Sequence, residues 1–378
     1  MSMKVVVERG ELIKALNRVQ SVVEKRNAVP ILANIKLETG VNALKITATD
    51  MDVCVIDFAP AQIDIPGSTT VPVSLLYEIA RRLPDSAMIE MAMNEDSGRS
   101  QLHITVGSSN FTLPCLPVTD FPNFETTPCE HKFAINSALL KALINRTKHA
   151  IALEEGRYYL GGAYMHVVQS DGGNMLRFVA TDGHRLAMAE GAAPEGSDQC
   201  PGVIIPRKAM NELSRLLESS VGQVEVLVSR NRITFIIGNT TFISRLVDAK
   251  FPDYNRVIPS NNNLMLEVPA KDLARAIDLV VSVSSDKTKA VRLQLDQAEI
   301  VLSASSDING NATGIQRVSA IYDAHPMSIS FNSRYVLDSL AALEGETVRI
   351  MLPEGVGAIM AQDPEDRSSI QILMPMQE

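Results

Sequence analysis

The chain is poor in the residues that would commit it to a metal, a disulfide scaffold or a bilayer. Its four cysteines, Cys54, Cys115, Cys129 and Cys200, include no Cys-x-x-Cys pair, so neither a zinc framework nor a disulfide pattern is expected, and a reducing compartment fits best. No stretch approaches the roughly 18 uninterrupted apolar residues of a membrane span, and Met1-Ser2-Met3-Lys4-Val5 lacks the apolar core and cleavage site of a secretory leader. A cytoplasmic protein without membrane association is the expectation. Gly-x-Ser-x-Gly, a Walker loop and His-Glu-x-x-His are also missing, which removes the common hydrolase, nucleotide and zinc-protease centres. The 378 residues carry a net charge of −9, which taken as an average disfavours contact with phosphate.

Repetition replaces these signals. Residues 178–189 read as two alternating strands around Asp182-Gly183, a dipeptide suited to a type I′ hairpin turn because both central residues need positive φ. The apolar, any, apolar, hydroxyl, Ala, hydroxyl order of this region recurs at 44–49 and, degraded, at 300–305. From Thr49 to Thr181 is 132 residues and from Thr181 to Ser305 is 124. A period near a third of the chain is too long for a solenoid or propeller and indicates tandem copies of a whole domain, each large enough to bury its own core.

Each copy shows two helices among many strands. Residues 9–26 place Leu12, Leu16, Val19 and Val23 on one stripe and Lys14, Arg18, Ser21 and Lys25 on the opposite one. Helices follow from 137 to 151 and across 270–289, and Lys14, Lys141 and Lys271, 127 and 130 residues apart, align their polar faces. Second helices open at Val71-Pro72, Ile205-Pro206 and Phe331-Asn332, 134 and 126 residues apart, with proline at the first turn of two of them. Strands are expected around 158–168 as well as through the rest of each copy. The Pro-rich stretch 117–128 and the similar 251–259 read as linkers, giving domains at 1–129, 130–260 and 261–378. The six predicted helices hold 18 Lys or Arg against 10 Asp or Glu, which leaves −17 for the remainder. Such segregation suits a surface that attracts a phosphate backbone while the rest repels it.

The order helix, strands, Ala180-Thr181-Asp182-Gly183-His184-Arg185-Leu186, Pro206-Arg207-Lys208, Phe251-Pro252-Asp253-Tyr254 and Met374-Pro375-Met376 resembles the bacterial DNA polymerase III β sliding clamps along the whole chain. The resemblance implies an α+β fold of three tandem DNA-clamp domains, each with two helices packed on antiparallel sheets. Two chains would close head to tail into a six-domain ring. It further implies a non-catalytic processivity factor, without cofactor or metal, that encircles double-stranded DNA regardless of sequence. Its implied partners are a second copy, a clamp loader, and replicative and repair polymerases that dock through short linear peptides.

Carried over residue by residue, the family's peptide pocket falls on Arg157, Tyr159, Leu160, Thr181, Gly183, His184, Arg185, Leu186, Pro252, Val257, Ile372, Met374, Pro375 and Met376. An apolar groove with adaptable methionines and a few polar rim groups suits linear peptides with apolar anchors. The implied DNA contacts are Arg26, Tyr158, Tyr159, Arg207, Lys208, Lys250 and Arg256, and the implied ring-closing residues are Phe111, Leu113 and Val283. Two other classes compete. One is a β-rich interaction scaffold without DNA; the other is a hydrolase using Asp182 and His184, disfavoured because the other copies lack the histidine.

Overall fold

In the computed structural model, which describes residues 3–23, 28–96, 99–124, 129–170, 172–284, 290–306 and 312–376, one order of elements is traced three times. The first copy is β1 (Met3–Glu8), α1 (Arg9–Val19), β2 (Asn34–Thr39), β3 (Ala43–Thr49), β4 (Val53–Ile65), β5 (Ser68–Pro72), α2 (Val73–Arg82), β6 (Met88–Asp96), β7 (Arg99–Val106) and β8 (Ser109–Pro114). The second is β9 (His131–Asn136), α3 (Ser137–Asn145), β10 (Gly162–Ser170), β11 (Gly173–Thr181), β12 (Arg185–Ala192), β13 (Val203–Pro206), α4 (Arg207–Leu216), β14 (Gln223–Val228), β15 (Arg232–Ile237) and β16 (Thr240–Arg245). The third is β17 (Leu264–Pro269), α5 (Ala270–Val281), β18 (Ala290–Asp296), β19 (Glu299–Ser306), β20 (Ala312–Ser319), the short β21 (Ile321–Tyr322), β22 (Met327–Asn332), α6 (Ser333–Ala341), β23 (Thr347–Leu352), β24 (Ile359–Gln362) and β25 (Ser369–Leu373).

The helix starts supply the register of the repeat. The second helices begin at Val73, Arg207 and Ser333, which keeps the expected 134- and 126-residue spacing. The first helices begin at Arg9, Ser137 and Ala270, so the alignment of Lys14 with Lys141 and Lys271 is wrong; Lys14 corresponds to Ala142 and Arg275. Burial supports the corrected register. Leu12, Ala15, Leu16 and Val19 are buried on α1, and so are Leu273, Ala276, Ile277 and Val280 at the matching positions of α5.

Helix ends also differ from expectation, for a local reason. The stretch expected to stay helical to residue 151 leaves the α-helix after Asn145, where the Thr147 hydroxyl donates to the Leu143 carbonyl at 2.7 Å. The third copy's first helix stops at Val281, and the Ser282 hydroxyl donates to the Leu279 carbonyl at 2.7 Å. Hydroxyl side chains that bond back onto C-terminal carbonyls compete with continuation of the helix. Pro72 occupies the N-cap position rather than the first turn.

Within each copy four strands form one antiparallel run, β8-β7-β6-β1, β16-β15-β14-β9 or β25-β24-β23-β17. Four others form a second run, β5-β2-β3-β4, β13-β10-β11-β12 or β22-β18-β19-β20. These runs then fuse between copies. Residues 53–56 of β4 pair with 241–244 of β16, and 185–189 of β12 pair with 369–373 of β25. Because each fusion is a continuous ladder, the chain divides into compact units that cut through the middle copy, one formed by 1–138 with 211–246 and the other by 139–210 with 247–378.

Buried polar contacts fasten each junction. In the first unit, the fully buried Asp57 of β4 hydrogen-bonds Thr240 of β16 across the junction and pairs with Arg18 of its own copy at 3.0 Å; burial raises its carboxyl, while the Phe58 N–H, Arg18 and Thr240 oppose that rise. In the second unit, Arg146 after α3 pairs with Asp366 at 2.9 Å and donates to Ser368, and Gln371 of β25 donates to the Arg146 carbonyl at 3.1 Å. All four cysteines are free, and burial pushes the Cys54 thiol up to about 12.

His149 lies in the same second-unit junction, where burial, helped by the nearby Arg185 charge and opposed by Asp338, depresses its pKa from 6.5 to about 4. A depressed folded-state pKa means the neutral ring is favoured in the native protein, so the stability it gives is present above about pH 6.5 and lost as pH falls toward 4. Replacing His149 by glutamine should therefore flatten the acid limb of stability. By pH 5 the histidine term should cost the wild type on the order of 2 kcal/mol relative to pH 7.5. Urea titrations of both proteins across that range check this; identical pH dependence would refute the buried neutral histidine.

Candidate partner-peptide pocket and DNA-facing surface

The hairpin at residues 178–189 is β11 turning into β12, but its turn is not type I′. Thr181 pairs with Leu186, which leaves a four-residue loop, and within it only Gly183 has positive φ, at 89°. Asp182 explains the difference. Its Oδ1 accepts from the backbone N–H of His184 and Arg185 at 2.9 and 3.0 Å, while the Thr181 hydroxyl donates to the Arg185 carbonyl at 2.7 Å and accepts from the Gly183 N–H at 3.1 Å. Side-chain bonds to nearby backbone thus shape the loop in place of the two-residue turn.

The first copy builds the same loop from the same pair of side-chain types. The Thr49 hydroxyl donates to the Val53 carbonyl at 2.8 Å and accepts from Met51 N–H at 3.0 Å, while Asp50 accepts from Asp52 and Val53 at 3.0 and 2.8 Å. Met51 takes the glycine's place at φ 84°. The sequence repeat is therefore a repeat of hydrogen bonds.

Around the second loop the residues expected to form the peptide pocket gather within one unit. The Met374 N–H donates to the His184 carbonyl at 2.9 Å and the Met376 N–H to the Ser330 carbonyl at 2.8 Å, so the segment after β25 runs beside the loop and on toward β22. Arg157 Nη1 donates to the Asp182 carbonyl at 3.0 Å, and it lies 2.7 Å from where a Cβ on Gly183 would be. Leu160, Leu186 and Ile372 are buried in one cluster with Val179, Ile204, Phe251 and Tyr254. Gly183, His184, Pro252, Val257 and Met374 are exposed, with Thr181, Pro375 and Met376 half-buried.

The linker at 251–259 is docked rather than loose. Phe251 stacks on Tyr164 at 5.1 Å between ring centroids, and the Tyr254 hydroxyl accepts from Arg177 at 3.1 Å. Arg177 also pairs with Glu190 at 2.6 Å. These contacts hold Pro252 and Val257 in place. The first linker is anchored similarly, by Phe121 against Ile31 and Leu32.

Arg185 is tied into the junction between the second and third copies. Its guanidinium donates to Asp182, to Asp338 of α6 at 2.7 Å and to the His149 carbonyl, and it lies 4.3 Å from the centre of the Tyr335 ring. Asp338 was a contact that the sequence did not reveal, because a single acid on α6 carries no local signal. The Asp182 carboxylate is occupied by two N–H groups and Arg185, which leaves it no geometry for orienting His184 as a base. Among the described residues no cluster of three His, Cys, Asp or Glu could hold a metal, and no helix is long and apolar enough to cross a membrane.

The residues expected to face DNA are partly assembled. Tyr158 and Tyr159 lie on a short 3-10 helix, Glu155–Leu160, and not on the expected strand; their rings meet edge to face at 5.9 Å. Gly162 pairs with Pro206, and any Cβ there would collide with the Ile205 carbonyl at 2.4 Å, so only glycine lets β10 and β13 come this close. Consequently the Arg207 N–H donates to the Gly161 carbonyl at 3.0 Å, and the start of α4, with Arg207 exposed and Lys208 half-buried, abuts the tyrosine pair. Lys250, just before the docked linker, and Arg256 within it are exposed, and Arg256 pairs with Asp253 at 3.1 Å. Glu154 pairs with Arg157 at 3.4 Å. Arg26, and the Gln377-Glu378 ending, lie outside the described residues.

One α+β unit repeated and fused edge to edge is the architecture of DNA clamps. The N-terminal, central and C-terminal domains of the DNA polymerase III beta subunit match residues 3–125, 134–253 and 255–377. A beta sliding clamp of Caulobacter vibrioides is 41% identical over 374 residues, covering 99% of this chain and 100% of that protein. The beta sliding clamp of Escherichia coli K12 is 35% identical over 376 residues, with 99% and 100% covered. Among solved structures, a DNA polymerase III subunit beta clamp from Bartonella birtlesii bound to griselimycin superposes with a TM-score of 0.94 at 38% identity, covering all of both chains. A Caulobacter crescentus beta sliding clamp with bound polyethylene glycol gives 0.94 at 40% identity, covering 100% of this chain and 99% of that one. The chain belongs to the β sliding clamp family, the non-catalytic processivity subunits of DNA polymerase III.

The loop geometry makes a stability prediction. Gly183→Ala would force a side chain into left-handed backbone and displace Arg157, and should lower stability by about 1–2 kcal/mol. Met51→Gly should raise it by roughly 1 kcal/mol, because it relieves the same conformation in the first copy. Calorimetric melts of the two variants check the pair, and a stabilised Gly183→Ala would contradict this account.

Proposed function

We propose that two copies of this chain close head to tail into a six-domain ring around duplex DNA, tethering replicative and repair polymerases through short peptides. One observation carries the reading. The last strand of the second run in one copy pairs with the last strand of the first run in the next copy twice, as β4 with β16 and as β12 with β25. A third such junction would join β20 to β8, and among the described residues β20 pairs only with β19 and β8 only with β7. Open edges of this kind are templates for another chain, and a heterologous contact that closes makes a ring.

Side chains at the open edges agree with this. Counted from the helix starts, Val283 corresponds to Val22 and Ala150, which are fully buried, yet Val283 is only half-buried. Ile315 in the middle of β20 is 66% exposed, and Phe111 on β8 is half-buried. Leu113, on the same face of β8 two residues along, is only 4% exposed, so of this pair Phe111 alone leaves apolar surface open at the edge. Topological closure would supply processivity while weak, sequence-blind phosphate contacts from Arg26, Arg207, Lys208, Lys250 and Arg256, beside Tyr158 and Tyr159, allow sliding. Opening such a ring on DNA requires a clamp loader.

Two experiments test the reading. Solution mass should be that of two chains, and the protein should remain on nicked circular DNA far longer than on linear DNA of the same length, where it can slide off the ends. A monomer, or equal retention on both DNAs, would overturn the ring.

For the pocket, deletion of residues 374–378 should spare the fold, because Ile372 and Leu373 remain buried in β25. It removes Met374 and Met376 from the pocket wall and should weaken a partner peptide by roughly 30- to 1000-fold, on the order of 2–4 kcal/mol. Titration with a synthetic peptide bearing apolar anchors measures this. Unchanged affinity would remove the tail from the site; a collapsed melting transition would place it in the core.

A further inference from the structure

Helices as well as strands meet at the first junction. Arg215 of α4 donates to the carbonyls of Asn17 and Arg18 near the C-terminal end of α1, at 2.9 and 2.8 Å, and to the Ser21 hydroxyl. Ser21 donates in turn to Glu212 at 2.6 Å, and Glu212 pairs with Arg215 one turn along α4 at 3.1 Å. The last carbonyls of a helix have no partner within it and carry partial negative charge, so a guanidinium fork is well matched to them.

The repeat places all of these groups a second time at the open ends. From the helix starts at Val73 and Arg207, Glu212 and Arg215 correspond to Glu78 and Arg81 of α2. From Arg9 and Ala270, Asn17, Arg18 and Ser21 correspond to Asp278, Leu279 and Ser282 at the end of α5. α2 belongs to the copy that carries β8, and α5 to the copy that carries β20. Glu78 and Arg81 already form the one-turn pair at 2.9 Å, but the Arg81 side chain is 56% exposed where that of Arg215 is 34% exposed. The Ser282 hydroxyl folds back onto its own Leu279 carbonyl, whereas its counterpart Ser21 reaches Glu212. The arrangement is not generic to the fold, since α6 has Ala341 where α4 has Arg215.

We infer that, when the ring closes, Arg81 of one subunit caps the C-terminal end of α5 in the other, donating to the carbonyls of Asp278 and Leu279, while the Ser282 hydroxyl turns to Glu78. The inference rests on the β20-to-β8 closure proposed above and adds the helix contact that would set its strength. Asp278 strengthens the case, because a carboxylate stands where the first junction has the neutral Asn17.

Sedimentation and subunit-exchange measurements on the full chain test it. Arg81→Ala should raise the dimer dissociation constant by about 100-fold, because charged hydrogen bonds are lost at two symmetry-related junctions. Arg81→Lys should recover only part of the loss, for want of the fork. Glu78→Ala and Ser282→Ala should each weaken the dimer and show non-additive effects when combined. Lys132→Ala is the control: it breaks an equally exposed ion pair, with Glu225, on β9 at the far end of the sheet from β8, and should leave dimerisation unchanged. A dimeric wild type whose Arg81→Ala variant dissociates no more readily than Lys132→Ala would refute the cap and leave the ring standing. A wild type that is monomeric at every concentration would refute the ring and the cap together. Arg81 is exposed, so an unchanged circular dichroism spectrum confirms that the variant folds.

Discussion

Edge-to-edge pairing of β-strands between copies is the constraint on which the rest depends. A sheet edge presents a row of unmet N–H and C=O groups, and a protein must cover, blunt or pair them. Here two edges are paired internally, β4 with β16 and β12 with β25, so the sheet of each copy continues into that of the next. That is why compactness divides the middle copy between two units while the repeat marks three domains.

The junctions also redistribute charge. The helices do carry the excess of lysine and arginine seen in the sequence, yet Arg18, Arg146 and Arg215 are engaged by Asp57, Asp366 and Glu212. A charge paired inside a junction contributes little field at a distance, so the cationic surface open to phosphate is smaller than the helix tally suggests. Weak phosphate contact is what a sliding protein requires, since each firm contact would have to break at every step.

Long-range order was legible in the sequence where residues of special backbone chemistry mark it. Thr181-Asp182-Gly183 and its copy at Thr49-Asp50, together with Pro72 and Pro206 before the second helices, gave the three-domain organisation its correct spacing. Lysines on helix surfaces did not, because an exposed polar position tolerates a one-residue slip that a buried leucine does not. The type I′ expectation failed for a related reason: Asp-Gly specifies a tight turn only when the aspartate does not use its own carboxylate on the backbone, and here it accepts two N–H groups. Contacts across junctions, such as Arg185 with Asp338, were not legible, since residues 153 positions apart share no local pattern.

The loop at the second junction shows how one scaffold presents different surfaces in two copies. In both the first and second copies a threonine hydroxyl and an aspartate carboxylate make the same bonds, so the backbone path is set independently of what faces outward. The outward residues differ, Met51-Asp52 in one and Gly183-His184 in the other. Met51 shows that a side chain can be carried at that left-handed position, so positive φ alone does not require the glycine. Arg157 adds a second constraint to the left-handed backbone, because the tip of its guanidinium lies where a Cβ would be and would have to shift from the Asp182 carbonyl to make room. Gly183 is thus linked to the neighbouring 3-10 helix and, through it, to Tyr158 and Tyr159. The residues proposed for peptide binding and those proposed for DNA contact therefore meet on one segment, Glu155–Leu160.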